Sequence, residues 1–168
     1  MSRLAVAAVV ACAITAPAAE GAVTSAAGAE TVTAQGVGPI RLGASVKSLH
    51  RRHLIGRIRP GCEFDPGQRV ARLRPPLRGF GVFHGKRLTS ISINSGAETA
   101  QGIGIGSTPF EAQQAYPNAE YVPPGQADPF AEGFFWVNNT SHPKFTFTVD
   151  DQSHLISGIS VPSPAFCE

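Results

Sequence analysis

Part of this chain is written twice, and that limits its fold more than any other feature. Thr33-Ala34-Gln35-Gly36-Val37-Gly38 returns as Thr99-Ala100-Gln101-Gly102-Ile103-Gly104, identical at five of six positions. Each copy leads into an apolar-glycine step and a small polar residue: Ile40-Arg41-Leu42-Gly43-Ala44-Ser45 in the first, Ile103-Gly104-Ile105-Gly106-Ser107-Thr108 in the second. Each also ends alike, with Leu88-Thr89-Ser90-Ile91-Ser92-Ile93 answering Ile156-Ser157-Gly158-Ile159-Ser160-Val161. Chance likeness in a chain rich in Gly and Ala is the competing explanation, and the common order of the matches argues against it. A repeat of this period means one supersecondary unit built twice, with the copies burying apolar surface together.

Local signals give each unit a helix and a meander. In the second, Thr108 is placed as an N-cap, Pro109 as the first helical residue and Glu111 where its carboxylate can reach the cap's backbone N–H; Pro117 ends the helix. In the first, Ser45 is the cap, and Val46, Leu49 and His53 fall on one face. Phe145-Thr146-Phe147-Thr148-Val149 alternates, Asp150-Asp151-Gln152-Ser153 is turn chemistry, and Ile159 and Val161 resume the alternation. Phe134-Phe135-Trp136-Val137 pairs with that hairpin, and residues 80–83, the turn His84-Gly85-Lys86 and residues 88–93 mirror it. Residues 57–67 and 117–133 read as Pro- and Gly-rich loops. The expected fold is α+β: two similar units, each a short helix on an antiparallel meander of three or slightly more strands. The basic unit spans 37–97 and the acidic one 98–168.

Residues 40–45 with the helix over 46–52, residues 103–108 with the helix over 109–116, and the closing strands carry a resemblance. This order of parts, present twice, resembles the tandem helix-on-sheet units of the beta-lactamase inhibitory proteins. It also resembles the single unit of the small outer-membrane assembly lipoproteins and related secreted actinobacterial proteins. The resemblance covers most of residues 37–161 and implies the fold. Where those families commonly have Gly-Met-Thr, this chain has Gly43-Ala44-Ser45 and Gly106-Ser107-Thr108. The inhibitory proteins' disulfide within each unit has no counterpart in the cysteines here, so none of their contact residues is carried over.

The beginning of the chain reads as an export signal. Arg3, an apolar run over residues 4–14 and Ala16-Pro17-Ala18 have the form of a secretory signal peptide cut after residue 18. Val9-Val10-Ala11-Cys12 offers a competing cut, with Cys12 lipidated and the protein anchored to the cell envelope. The run is too short to cross a hydrocarbon core of about 30 Å, so the mature chain is expected to have no transmembrane segment. Residues 19–36 hold almost no large apolar side chain and read as a flexible arm. Oxidising surroundings make a Cys62–Cys167 disulfide the expectation, with two buried free thiols as the alternative.

No Gly-x-Ser-x-Gly elbow, His-Glu-x-x-His helix or phosphate-cradling Gly-x-x-x-x-Gly-Lys-Ser/Thr occurs, so the chain is read as a non-enzyme needing neither cofactor nor metal. His50 and His53 have no third ligand nearby, Asp150-Asp151 belong to a turn, and Gly102, Gly104 and Gly106 are assigned to close approach of strand and helix. Phe135 and Trp136 are candidate aromatic contacts, although neighbouring strand residues point to opposite faces.

Charge is the strongest functional signal. Residues 37–97 hold twelve Lys or Arg against two Asp or Glu, and residues 98–168 hold one against eight. Arg51, Arg52, Arg57 and Arg59 follow the first helix, and Arg69, Arg72, Arg74 and Arg78 surround Pro75-Pro76. Two outcomes are open. The arginines form an exposed surface for an acidic protein, an anionic envelope polymer or anionic lipid headgroups, or they face the acidic unit and are neutralised within the molecule. Nucleic acid is not expected, because no nucleic-acid motif is present. The function so read is a secreted, non-catalytic binding protein, either an inhibitor of an extracellular protein or a binder of anionic envelope polymer. A cell-envelope assembly lipoprotein and a hydrolase with an unrecognised site are the alternatives.

Overall fold

The computed structural model describes residues 28–126, 132–138 and 141–165, so the segment read as a signal peptide, Cys12 and Cys167 lie outside the described residues. Strand makes up 46 % and helix 10 %, and the expected mixture of sheet with short helices holds in that coarse form. The chain begins with β1 (Glu30–Thr33), β2 (Gly36–Val37), β3 (Ile40–Arg41) and α1 (Val46–Arg51). A meander follows: β4 (Ile55–Pro60), β5 (Gln68–Leu73), β6 (Arg78–His84) and β7 (Arg87–Ser95). After β8 (Ala97–Thr99) and α2 (Pro109–Ala115) comes a second meander: β9 (Glu120–Val122), β10 (Gly133–Val137), β11 (Phe145–Val149) and β12 (Ile156–Val161). β7 pairs antiparallel with β12, so both meanders join one eight-stranded sheet in the order β4-β5-β6-β7-β12-β11-β10-β9. A small sheet, β3-β2-β1-β8, ties the start of the chain to the link between the meanders through a parallel β1–β8 pair.

Alternation decides which face of the large sheet becomes core. Phe83, Ile91, Phe135, Phe147 and Ile159 are fully buried, and one cluster joins them to Leu49 of α1, Ala112 of α2 and Val32 and Val37 of the small sheet. Helices and small sheet therefore cover one face, and a single core runs through both halves. Among the described residues no helix is long and apolar enough to cross a membrane.

Both helices start as expected and are fastened to the sheet in the same way. Ser45 Oγ accepts the Ser48 N–H at 3.2 Å and Thr108 Oγ1 accepts the Glu111 N–H at 3.2 Å. Glu111 accepts the Thr108 N–H at 2.7 Å, which completes the capping box. The Gly43 N–H donates to Leu88 O at 2.7 Å, and the Leu88 N–H donates to Ala44 O at 3.0 Å. The same pair recurs from Gly106 to Ile156 O at 2.8 Å and from Ile156 to Ser107 O at 2.9 Å. Gly43 and Gly106 sit at φ 77° and 90°, with no atom within 4 Å of where a Cβ would stand. At Gly106, then, the requirement is a left-handed turn, where close packing of strand and helix was expected.

Other local expectations are corrected. Part of the span read as an arm is strand, because β1 inserts Val32, 3 % exposed, into the core. The loops expected at 57–67 and 117–133 contain β4 and β9, so each meander has four strands. Both overlooked strands are sheet edges, where Pro60 is tolerated because an edge leaves one row of N–H groups unpaired. α1 ends at Arg51, and His53 takes no part in its apolar face. At φ 55° His53 is the left-handed residue of a Schellman cap, its N–H donating to His50 O at 3.0 Å while the Leu54 N–H donates to Leu49 O at 3.0 Å.

Thr108→Ala should lower the unfolding free energy by about 1 kcal/mol in a urea titration, because it removes the α2 cap. The Thr108 backbone N–H and hydroxyl hold the Glu111 carboxyl below its ordinary value of 4.5. A carboxyl depressed in the folded state stabilises fully above its unfolded-state value and loses that contribution as pH falls through the folded one. The Tm deficit of Glu111→Gln should therefore be present at neutral pH and shrink as pH falls below 4.5.

Candidate functional site

The face of the large sheet turned away from the helices is set by register, since directly paired residues share a face. Arg72 of β5 opposes Phe80 of β6, Phe80 opposes Ser92 of β7, and Ser92 opposes Ser160 of β12. The row continues through Thr146 of β11 and Trp136 of β10 to Glu120 of β9. At about 4.8 Å between strands the row is roughly 29 Å long. It is basic at one end, acidic at the other and hydroxylic at its centre, where Ser92 Oγ and Ser160 Oγ lie 3.0 Å apart.

The chain leaving β12 crosses this face as a strap. The Ser90 hydroxyl donates to Ser163 O at 2.8 Å and the Thr146 hydroxyl to Pro162 O at 3.1 Å. These bonds satisfy hydroxyls that would otherwise be buried at a cost, Ser90 being 8 % and Thr146 0 % exposed. Pro164 and Ala165 wall two cavities, one shared with Phe80 and Asn94, the other with Gln68, His84 and Ser90.

Next to the first cavity lies a groove of about 830 Å³ in which Arg57, Arg59, Arg72 and Arg78 converge around Val70 and Phe80. All four arginines are exposed. Among the described residues the only ion pair is His84 Nδ1 with Asp65 Oδ2 at 3.6 Å, so none of the groove's arginines is ion-paired with a described carboxylate. The register places Glu120 at the far end of the row, with β6, β7, β12, β11 and β10 between β5 and β9, whereas Glu132 lines the adjoining cavity together with Phe80 and Asn94.

The eight arginines singled out by sequence do not share one surface. Arg57, Arg59, Arg72 and Arg78 meet in the groove. Arg51 and Arg52 close α1 on the covered side, where Arg52 Nη1 donates to Pro39 O at 3.4 Å. Arg69 has the phase of Ala71 and Leu73, which face the core. Arg74 Nε is bound to Ile55 O at 3.2 Å and serves the β4–β5 junction. Phe135 is no contact residue, being fully buried and stacked on Tyr121 at 4.7 Å between ring centroids. Trp136 lies half-buried on the open face, 5.3 Å from the Phe134 ring. The aromatic that sequence reasoning missed is Phe80, 41 % exposed. Its place in a strand was legible; which face of that strand stays uncovered was not.

Chemistry weighed at the sequence level resolves locally. Asp150 Oδ1 accepts from the Ser153 N–H at 2.8 Å and the Ser153 hydroxyl at 2.7 Å, which holds its carboxyl below the ordinary range and assigns it to the β11–β12 turn. The Gly106 N–H is spent on β12 and is not presented to a phosphate. Among the described residues no three His, Cys, Asp or Glu side chains gather as metal ligands. Asp65 and His84 do line a cavity with Ser90, but the Ser90 proton is committed to Ser163 O and the Asp65 carboxylate also accepts the Gly67 N–H at 3.0 Å. Among the described residues no hydrogen bond links His84 to Ser90, the contact that nucleophilic catalysis needs.

No family model, curated protein or solved structure matches this chain.

Thr146→Val should leave the Pro162 carbonyl unpaired and lower stability by roughly 1–2 kcal/mol. Amide exchange at Ser163 and Ala165 should accelerate, while amides of β6 within the sheet keep their protection. Unchanged exchange in the strap would show that the Thr146 bond does not hold it.

Proposed function

We propose that this chain is an exported, non-catalytic binding protein whose partner docks on the open face of the large sheet. The observation that carries this reading is the convergence of Arg57, Arg59, Arg72 and Arg78 in one groove with no carboxylate partner among the described residues. Four unneutralised guanidiniums on adjacent strands repel one another, a cost that an anionic partner relieves. The partner is therefore anionic, and an anionic polymer of the cell envelope fits better than an inhibitor's protein target, because the charges line a trough.

Two further elements belong to this proposal. The halves are copies of one unit, supported by the matching hydrogen-bond pairs at Gly43–Leu88 and Gly106–Ile156 and by the pairing of β7 with β12. That arrangement also supports the resemblance to the beta-lactamase inhibitory proteins. Cys62 pairs with Cys167, supported by the path of the strap: Ala165 shares a cavity wall with Gln68, whose Oε1 accepts the Cys62 N–H at 3.1 Å. Such a bridge closes a loop of about 105 residues and is worth up to about 4.7 kcal/mol on the chain-entropy model. Non-reducing peptide mapping of the exported protein should recover the 62–167 cross-link; two alkylatable thiols would remove it.

Binding is tested on isolated cell wall and on an anionic chromatography matrix. Wild type should be retained at low ionic strength and released steeply toward 0.15 M salt, where the Debye length falls to about 8 Å. Arg57→Ser/Arg59→Ser/Arg72→Ser should lose retention while keeping its unfolding midpoint. Arg51→Ser/Arg52→Ser, on the covered side, should retain it. Equal retention of both variants would show that net charge, and not the groove, is responsible. Recovery of the protein in the membrane fraction with acylated Cys12 would favour an envelope-assembly role.

A further inference from the structure

The arginines determine which charge the groove accepts, and the adjoining cavity indicates what bears that charge. Gly79, Phe80 and Asn94 line both the arginine groove and the smaller cavity of about 280 Å³ beside the strap, so the two form one trough, with arginines at the groove end and the Glu132 carboxylate, an acceptor for sugar hydroxyls, in the wall of the smaller cavity. We infer that the trough binds an anionic glycan, with sugar rings against Phe80 and Asn94 and carboxylate or phosphate groups on Arg57, Arg59, Arg72 and Arg78. This rests on the open-face reading above and names the ligand class for it.

The trough has two kinds of wall, and each matches a different part of such a ligand. Phe80 is 41 % exposed and stands directly opposite Arg72, on the same face of the sheet. Next to it, exposed Asn94 offers an amide with both donors and an acceptor, and Ser92 a hydroxyl two residues along the same strand. A sugar ring has an apolar C–H face bounded by hydroxyls that both donate and accept, so an aromatic surface flanked by an amide and a hydroxyl satisfies both parts. A bare polyanion could accept from Asn94 but would leave the Phe80 ring unused.

The spacing of charge points the same way. Alternate residues on a strand stand about 6.7 Å apart and neighbouring strands about 4.8 Å. Arg57 and Arg59 on β4, Arg72 on β5 and Arg78 on β6 are thus distributed along the trough. A single small anion would meet one or two of these forks; an oligomer with one charge per unit can meet all of them. The planar guanidinium fork suits carboxylate and phosphate oxygens equally.

Isothermal titration at low ionic strength with four probes tests this: oligogalacturonate, polyphosphate of matched charge, polyglutamate and the neutral maltoheptaose. Oligogalacturonate should bind about tenfold or more tightly than polyphosphate or polyglutamate, and maltoheptaose should not bind detectably. Phe80→Ala should weaken oligogalacturonate on the order of tenfold and leave polyphosphate unchanged. Phe80→Tyr, which keeps the ring, should retain full affinity, and the unfolding midpoints of both variants confirm that they fold. Equal affinity for the three polyanions with no effect of Phe80→Ala would overturn the glycan inference while leaving an anion-binding face intact. A preference for polyglutamate would overturn it in favour of an acidic protein surface. No binding of any polyanion would overturn both this inference and the docking face on which it rests.

Discussion

Because residues 91–93 of β7 pair with residues 159–161 of β12, two meanders with one edge to spare apiece become a single sheet, and each later feature of the molecule follows from that junction. Its register is strongly specified. Ile91, Ile93, Ile159 and Val161 point into the core, while Ser92 and Ser160 face each other on the opposite side. A slip of one residue would bury the serines and expose the isoleucines, exchanging the faces of the whole second half. The same pairing leaves β4 and β9 as the outer edges. Pro60 with Arg57 and Arg59 at one, and three-residue β9 followed by Pro123-Pro124 at the other, discourage further strand addition.

Joining the meanders also creates an asymmetry between faces. Leu49, Ala112, Val32 and Val37 all come from segments that pack on one side, and among the described residues the strap that includes residues 162–165 crosses the other side. The strap depends on side chains rather than on a strand ladder: Ser90 and Thr146 donate to its carbonyls. Basic side chains lie on β4 to β6 and acidic and aromatic ones at and around β9 and β10, and the cavity beside the strap adjoins both. Charge that reads as a difference between two stretches of sequence becomes a gradient across one surface.

That gradient is the physical basis of the functional reading. Opposite charges so placed could cancel only by approaching each other, and Arg72 and Glu120, at the two ends of the row, stand roughly 29 Å apart, while Glu132 lines the cavity beside the groove. Beyond a Debye length of about 8 Å they act on solvent and partners rather than on each other. Among the described residues the groove's arginines have no ion-pair partner, and Phe80 at its margin gives the groove a shape and a polarity beyond bare charge.

Much of the local structure was legible in the residues themselves. Thr108, Pro109 and Glu111 encode the start of α2 through donors and acceptors within one turn, and Asp150 with Ser153 encodes the β11–β12 turn in the same way. Phe145 to Val149 announce their strand by alternation. Such signals are readable because the interacting groups are three or four residues apart, where chain geometry leaves few alternatives. The β4 and β9 strands were not legible: an edge strand needs only one partner, and Arg-Ile-Arg-Pro and Glu-Tyr-Val are too short and polar to show a period. Nor could the sequence divide its arginines. Arg72 and Arg74 are two residues apart, yet one lines the groove and the other is tied to Ile55, because Arg74 lies just past the end of β5. The sequence by itself determined the caps, the turns, most of the strands and the separation of charge along the chain. Only the tertiary structure decided which face of the sheet stays open, because that depends on both helices and the small sheet coming to rest together on the other side.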